Sequence, residues 1–120
     1  MYEILIVEDF SSLTQILDIS LKQAGFNMHE ARTADQAIAS AENNNFDLIL
    51  CDADIENCDP IELIGQLSQL TGKEHSSLIA FSKEKGTAKK QNALDAGADR
   101  WIEKPFDVDD LVNDVLAVIH

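Results

Sequence analysis

The chain reads as an α/β domain: a doubly wound, five-stranded parallel sheet of order 2-1-3-4-5, with helices on both faces. Three observations predict it. Short apolar runs alternate with stretches of helical periodicity, five times over 120 residues. The apolar runs, Ile4–Val7 and Leu48–Cys51 above all, show no polar alternation, as strands buried on both faces do not. Each helical stretch is long enough to be a crossover between parallel strands, and right-handed crossovers leave few topologies.

Glu3–Val7 is the first strand, rich in β-branched residues. Ser11 or Ser12 is placed to cap a helix whose inner face would carry Leu13, Ile16, Leu17, Leu21 and Ala24, with Gly25 as its stop. Residues 27–31 form a weak second strand. Thr33 caps a helix containing Ala34, Ala37, Ile38 and Ala41, broken at Asn43-Asn44-Asn45. Residues 47–51 are the third strand. Asp59-Pro60-Ile61-Glu62 is a helix start, with Asp at the N-cap, Pro in the first turn and Glu three residues on; Leu63, Ile64, Leu67 and Leu70 supply its buried face. Residues 77–81 are the fourth strand. Ala88, Ala93, Leu94 and Ala96 mark a small-residue helix ending at Gly97, residues 99–102 the fifth strand, and residues 107–119 a last helix with Leu111, Val112, Val115, Leu116 and Ile119 at helical spacing.

The length suits one domain spanning residues 1–120, and 45% hydrophobic residues suffice for a core without disulfide staples. Cys51 and Cys58 form no disulfide framework, no apolar run reaches the ~18 residues of a membrane span, and the opening Met1-Tyr2-Glu3-Ile4-Leu5 lacks the features of a secretory signal. A cytoplasmic location is expected. The net charge of -13 would repel nucleic acid and anionic membranes, so neither is expected as a partner.

In a parallel sheet the carboxyl ends of the strands share one edge. Glu8-Asp9 follow the first strand, Asp52 with Asp54 and Glu56 the third, Ser82 the fourth, and Lys104-Pro105 the fifth. Carboxylates gathered so closely repel, and a divalent cation removes that cost. Hard oxygen ligands without histidine suit Mg²⁺, which also accepts a phosphoryl oxygen as ligand. Asp52 can then act as a nucleophile toward phosphorus, Lys104 can balance phosphoryl charge and Ser82 can donate a hydrogen bond to a phosphoryl oxygen.

Together with Phe106 and the strings Ile4-Leu5-Ile6-Val7-Glu8-Asp9, Asp47-Leu48-Ile49-Leu50-Cys51-Asp52 and Ala96-Gly97-Ala98-Asp99, this set resembles the signature of response-regulator receiver domains, over the whole chain. Ser82 follows Asp52 by 30 residues and Lys104 by 52, as in that family. The resemblance implies a flavodoxin-like (βα)5 fold and a phosphoacceptor signalling domain rather than an enzyme, with at most self-catalysed phosphorylation and dephosphorylation. It implies Asp52 as phosphoacceptor and Mg²⁺ held by Glu8, Asp9, Asp52 and the backbone carbonyl of Asp54. It further implies Ser82 and Trp101 as switch residues, and a Lys104-Pro105 bond that is often cis. A sensor histidine kinase or phosphotransfer protein would donate the phosphoryl group. The face of the fourth helix, fifth strand and last helix would answer to a downstream protein or to an output domain beyond His120. The protein would be a monomer or a phosphorylation-dependent dimer.

Three positions depart from the family pattern: Glu56 in place of Pro, Pro60 in place of Gly, and Lys83 in place of a small residue. Asp54, Glu56 and Glu84 are therefore expected to alter Mg²⁺ affinity and phosphoryl lifetime. Plainer readings stand beside these. Glu8-Asp9 could be a solvated helix cap, Trp101 half-buried packing, and Lys83, Lys85, Lys89 and Lys90 a solvated face; His29, His75 and His120 read as surface residues. Two other functions share the residue types. One is a pseudo-receiver that docks without being phosphorylated. The other is a haloacid-dehalogenase-type phosphatase, with Asp54 as general acid and Asp109-Asp110 as its late acidic pair; its first motif, however, normally ends the first strand. A flavin-binding domain lacks its phosphate loop after the first strand.

Overall fold

The computed structural model describes residues 2–71 and 76–119. The elements run β1 (Glu3–Val7), α1 (Ser11–Gln23), β2 (Asn27–Ala31), α2 (Ala34–Asn43), β3 (Leu48–Asp52), α3 (Pro60–Thr71), β4 (Ser77–Ser82), α4 (Thr87–Ala96), β5 (Arg100–Glu103) and α5 (Val108–Val118). All strand pairs are parallel, in the order β2-β1-β3-β4-β5. This is the doubly wound sheet the alternating pattern predicts.

The pleat divides the core in two. Leu5, Val7, Ile49, Cys51, Leu78 and Ala80 point to one face and meet Ala37, Ala41, Leu63, Ile64, Leu67 and Ala93 of α2, α3 and α4. Their neighbours Ile4, Ile6, Leu48, Leu50, Ile79 and Phe81 point to the other and meet Leu17, Leu21, Leu111 and Val115 of α1 and α5. Residues of β1, β3 and β4 thus find apolar partners on both sides, which is why these strands read as unbroken apolar runs. Each large side chain so buried contributes ~1.5–3 kcal/mol.

Helix entries follow the sequence signals at α2, α3 and α5 but not at α1. Thr33 caps α2 through Gln36 N–H, Asp59 accepts from Ile61 and Glu62 N–H ahead of α3, and Asp107 accepts from Asp109 and Asp110 N–H. At α1 the cap is Phe10, with no side-chain cap bond, and Ser11 already lies inside the helix. Glu8 does the local work instead, its Oε1 accepting from Phe10 N–H at 3.0 Å.

Several expected core positions lie outside. Ile16 is 49% exposed, Leu70 43% and Leu116 53%; Ala24 and Ala88 are also exposed. Thr14 takes the inner place on α1, because its hydroxyl donates back to Phe10 C=O and the buried stripe runs through residues 14, 17 and 21. The acids that open two expected strands sit just before them. Asp47 precedes β3 and accepts from Glu3 N–H at 2.7 Å, and Asp99 precedes β5 and accepts from Leu78 N–H at 2.8 Å. Each carboxylate satisfies a strand-entry amide that has no ladder partner. His29 is half-buried, with Nε2 2.7 Å from Glu3 Oε1 and its ring edge-on to Phe46. His75 and His120 lie outside the described residues. No helix among the described residues is long and apolar enough to cross a membrane.

Candidate functional site

Strand register delivers the site. Val7 pairs with Cys51, Asp52 with Phe81, and Ser82 with Glu103. The next residue of each strand, Glu8, Ala53, Lys83 or Lys104, therefore emerges at one edge of the sheet. Glu8, Asp9 and Asp52 each offer a carboxylate oxygen within 4.8 Å of the others. Glu8 and Asp52 are buried, and Asp9 is exposed at the rim. Lys104 reaches back from the β5–α5 loop, its Nζ 3.0 Å from Asp52 Oδ1, 3.5 Å from Asp54 Oδ2 and 3.9 Å from Glu8 Oε2. The same Nζ lies 5.2 Å from the centre of the Phe81 ring, a cation–π contact at the floor of the site. The Lys104-Pro105 bond is cis.

The loop after Asp52 folds tightly. Asp54 N–H donates to Asp52 Oδ1 at 2.8 Å, and Asn57 turns the chain at φ 65, a left-handed conformation Asn tolerates better than most residues. This brings Glu56 N–H to 3.3 Å from Asp9 Oδ2.

Charge in the site is uneven. Burial, then the Asp52 carboxylate beside it, pushes the Glu8 carboxyl up to about 8. For Lys104, burial works against the charged form, but the Asp52 hydrogen bond and the surrounding carboxylates outweigh it and hold the ammonium above its ordinary value. For Asp54, burial pushes up, yet the bonds from Ser82 and Lys83 and the charges of Lys104 and Lys89 bring it below the carboxylate range. Glu8 Oε2 is buried without a hydrogen-bond partner. An orphaned carboxylate oxygen facing two further carboxylates fits a hard divalent cation, which would give that oxygen its missing partner.

The sequence-derived set of Glu8, Asp9, Asp52 and Lys104 is thus brought together. Ser82 is buried, and its hydroxyl is bound to Asp54 Oδ1 at 2.6 Å. Trp101 is half-buried against the core cluster that includes Ala93. Asp109 and Asp110 open α5 and are not among the carboxylates gathered with Asp52, and Asp54 is held ionised, unsuited to act as a general acid. The phosphatase reading loses both requirements. Sequence reasoning placed the Asp54 charge beside the metal site but missed its bonds to Ser82, Lys83 and Lys89, the Lys89 Nζ lying 3.4 Å from Asp54 Oδ1. The available signal was position: Lys89 belongs to the first turn of α4, which starts at the same sheet edge.

Above Asp52 and Lys104 lies a groove of about 680 Å³. One wall is Phe10, Leu13 and Ile16, the other Pro105, Phe106 and Val108. Ile16 is outward because it belongs to this wall and not to the core.

The family model described as response regulator receiver domain matches residues 4–116. Response regulator ArlR of Staphylococcus saprophyticus is 29% identical over all 120 residues of this chain, which cover 53% of that protein; the chain spans about half the length of the curated relatives it matches. A CheY-like response regulator receiver domain protein from Methanospirillum hungatei JF-1 superposes with a TM-score of 0.90 at 26% identity, over 98% of this chain and 92% of that one. The receiver domain of sensor histidine kinase PA1611 from Pseudomonas aeruginosa PAO1, with magnesium coordinated in its active-site cleft, shares the fold at a TM-score of 0.85 and 24% identity, over 98% of this chain and 96% of that one. A sheet edge that gathers buried acids beneath a lysine, a match along nearly the whole chain and this shared architecture lead to one conclusion: the chain belongs to the response-regulator receiver domain family of two-component signalling.

Proposed function

We propose that residues 1–120 work as a single receiver domain in which Asp52 accepts a phosphoryl group from a phosphohistidine of a sensor kinase or phosphotransfer protein. The observation that carries this is the placement of Asp52 between two carboxylates and Lys104 Nζ, 3.0 Å away. A carboxylate oxygen of Asp52 forms the bond to phosphorus as the N–P bond breaks, and the histidine ring, already protonated on its other nitrogen, leaves as neutral imidazole. Lys104 stays close to balance charge on the transferred group. Glu8, Asp9, Asp52 and the Asp54 carbonyl would hold Mg²⁺, which when bound neutralises phosphoryl charge and draws the acids together. The magnesium in the cleft of the PA1611 receiver domain is consistent with this.

The apolar walls of the groove offer a dry seat for the helices that carry a donor histidine, with Asp52 at its base. Ser82 and Trp101 serve as switch residues, and a change at Ser82 alters the α4, β5 and α5 surface read by a downstream protein or an output domain, as a population shift between two states. The domain acts in the cytoplasm, as a monomer or a phosphorylation-dependent dimer, without contacting nucleic acid or membrane. Intact mass after incubation with acetyl phosphate and Mg²⁺ tests this. One phosphoryl adduct on the wild type, absent in Asp52→Asn and without Mg²⁺, is expected. No adduct under any condition would favour a docking module that is never phosphorylated.

A further inference from the structure

Among the described residues, the hydroxyl, amide and ammonium groups suited to grip a phosphoryl group next to Asp52 already grip Asp54. Ser82 Oγ donates to Asp54 Oδ1 at 2.6 Å, and Lys83 N–H donates to Asp54 Oδ2 at 2.7 Å. Lys104 Nζ is 3.5 Å from Oδ2, and Lys89 Nζ is 3.4 Å from Oδ1. Both oxygens of this carboxylate are therefore held by one neutral donor and one cation each. The Ser82 hydroxyl has a single proton, already committed to Asp54 Oδ1, while its oxygen accepts from Glu84 N–H at 3.0 Å. A phosphoryl group on Asp52 would need the same hydroxyl, the same amide and the same ammonium.

We propose that the Asp54 side chain is a built-in competitor for the phosphoryl group, an anionic latch that phosphorylation of Asp52 must displace. The proposal rests on Asp52 being the phosphoacceptor. It follows from charge and from count: the phosphoryl oxygens repel a neighbouring carboxylate, and a hydroxyl with one proton cannot serve both anions. Displacing Asp54 also breaks its tie to Lys89, which is half-buried and, among the described residues, paired besides only with Glu84, at 3.5 Å. The first turn of α4 is then released from the β3–α3 loop. Asp54 is in this sense a positioning residue, holding Ser82 and the start of α4 in one arrangement until a stronger anion takes its place.

The test uses beryllofluoride with saturating Mg²⁺ as a phosphoryl-shaped anion, its affinity followed by Trp101 fluorescence and by the Lys83 amide resonance. Asp54→Ala and Asp54→Asn are expected to bind it at least about tenfold tighter than wild type, the scale of a charge-assisted hydrogen bond that no longer has to be broken. Without any anion, the Lys83 amide proton is expected to lie downfield in the wild type and to move upfield in Asp54→Ala. Glu56→Gln removes a charge from the same groove without touching Ser82 or Lys83, so it measures simple repulsion and is expected to gain clearly less than the Asp54 variants. Unchanged or weaker binding in both Asp54 variants, with wild type binding normally, would overturn the latch and leave the phosphoacceptor standing. An equal gain in Glu56→Gln would overturn it in favour of simple repulsion. No binding by any variant would overturn both the latch and the phosphoacceptor. Asp54→Asn, nearly the same size as Asp, carries the comparison if Asp54→Ala does not fold.

Discussion

Lys104 Nζ and Asp52 Oδ1 stand 3.0 Å apart although 52 residues separate them in the chain. Two adjacent strand pairings, β3 with β4 and β4 with β5, fix this distance. The contact is a direct product of sheet register, and a one-residue slip of β5 would turn Lys104 away. Its ammonium is also the cation nearest the carboxylate proposed to react. Lys104→Gln should therefore keep the fold and lower the rate of phosphorylation by acetyl phosphate by about 10²–10³, the usual cost of one preorganised donor. Rates within a factor of two of wild type would remove Lys104 from the chemistry.

Glu8 supplies a pH dependence. In the metal-free protein its carboxyl is pushed up to about 8 from an ordinary 4.5, by burial first and by Asp52 second. The folded state thus holds a proton that the unfolded chain releases earlier. The stability from this group is full below pH 4.5 and is lost as pH rises through about 8. In EDTA, Tm should fall between pH 5.5 and 8.5, and Glu8→Gln should flatten that fall. Mg²⁺ must expel the proton, so its affinity should rise over the same interval. Calorimetry across pH checks both, and a flat metal-free profile would contradict the assignment.

Phe81 ties the core to the site. It is fully buried, edge-on to Phe106 at 5.9 Å, and lies beneath the Lys104 ammonium. Phe81→Ala should cost ~3–5 kcal/mol of stability, measured by urea unfolding. Phe81→Leu should cost far less and still loosen Lys104, slowing phosphorylation. A full-length loss of structure in Phe81→Leu would show that the ring is needed for folding alone.

Gly97 ends α4 at φ 131, where an L side chain is strained. Its N–H closes the helix on Ala93 and Leu94 C=O, and Asp99 then turns back to Leu78 N–H. Gly97→Ala should destabilise by ~1–3 kcal/mol, while Gly86→Ala, at φ -75 with open space around its Cβ, should be nearly neutral. Equal effects at the two positions would refute the conformational argument.

The strands and three of the five helix entries were legible because their causes are local. Apolar runs buried on both faces, Thr33, Asp59 and Asp107 at caps, and Gly97 at a stop all act within a few residues. The gathering of Glu8, Asp9, Asp52 and Lys104 was legible too, since a parallel sheet must bring strand ends to one edge. What escaped were facts set by tertiary partners. Ile16 has helical spacing but faces the groove, and Thr14 replaces it because its hydroxyl satisfies a carbonyl of its own helix. Asp47 and Asp99 look like strand residues but serve amides of neighbouring strands. The grip of Ser82, Lys83, Lys89 and Lys104 on Asp54 joins four separate segments, and no spacing in the chain encodes it.

The most direct measurement is the identity of the modified residue. The protein is treated with acetyl phosphate and Mg²⁺, the acyl phosphate is reduced with borohydride to homoserine, and the peptides are sequenced by mass spectrometry. Homoserine at position 52 and nowhere else is the expected result. Homoserine at Asp9 or Asp54, or none at all in protein that binds Mg²⁺, would contradict the assignment of Asp52 as the phosphoacceptor.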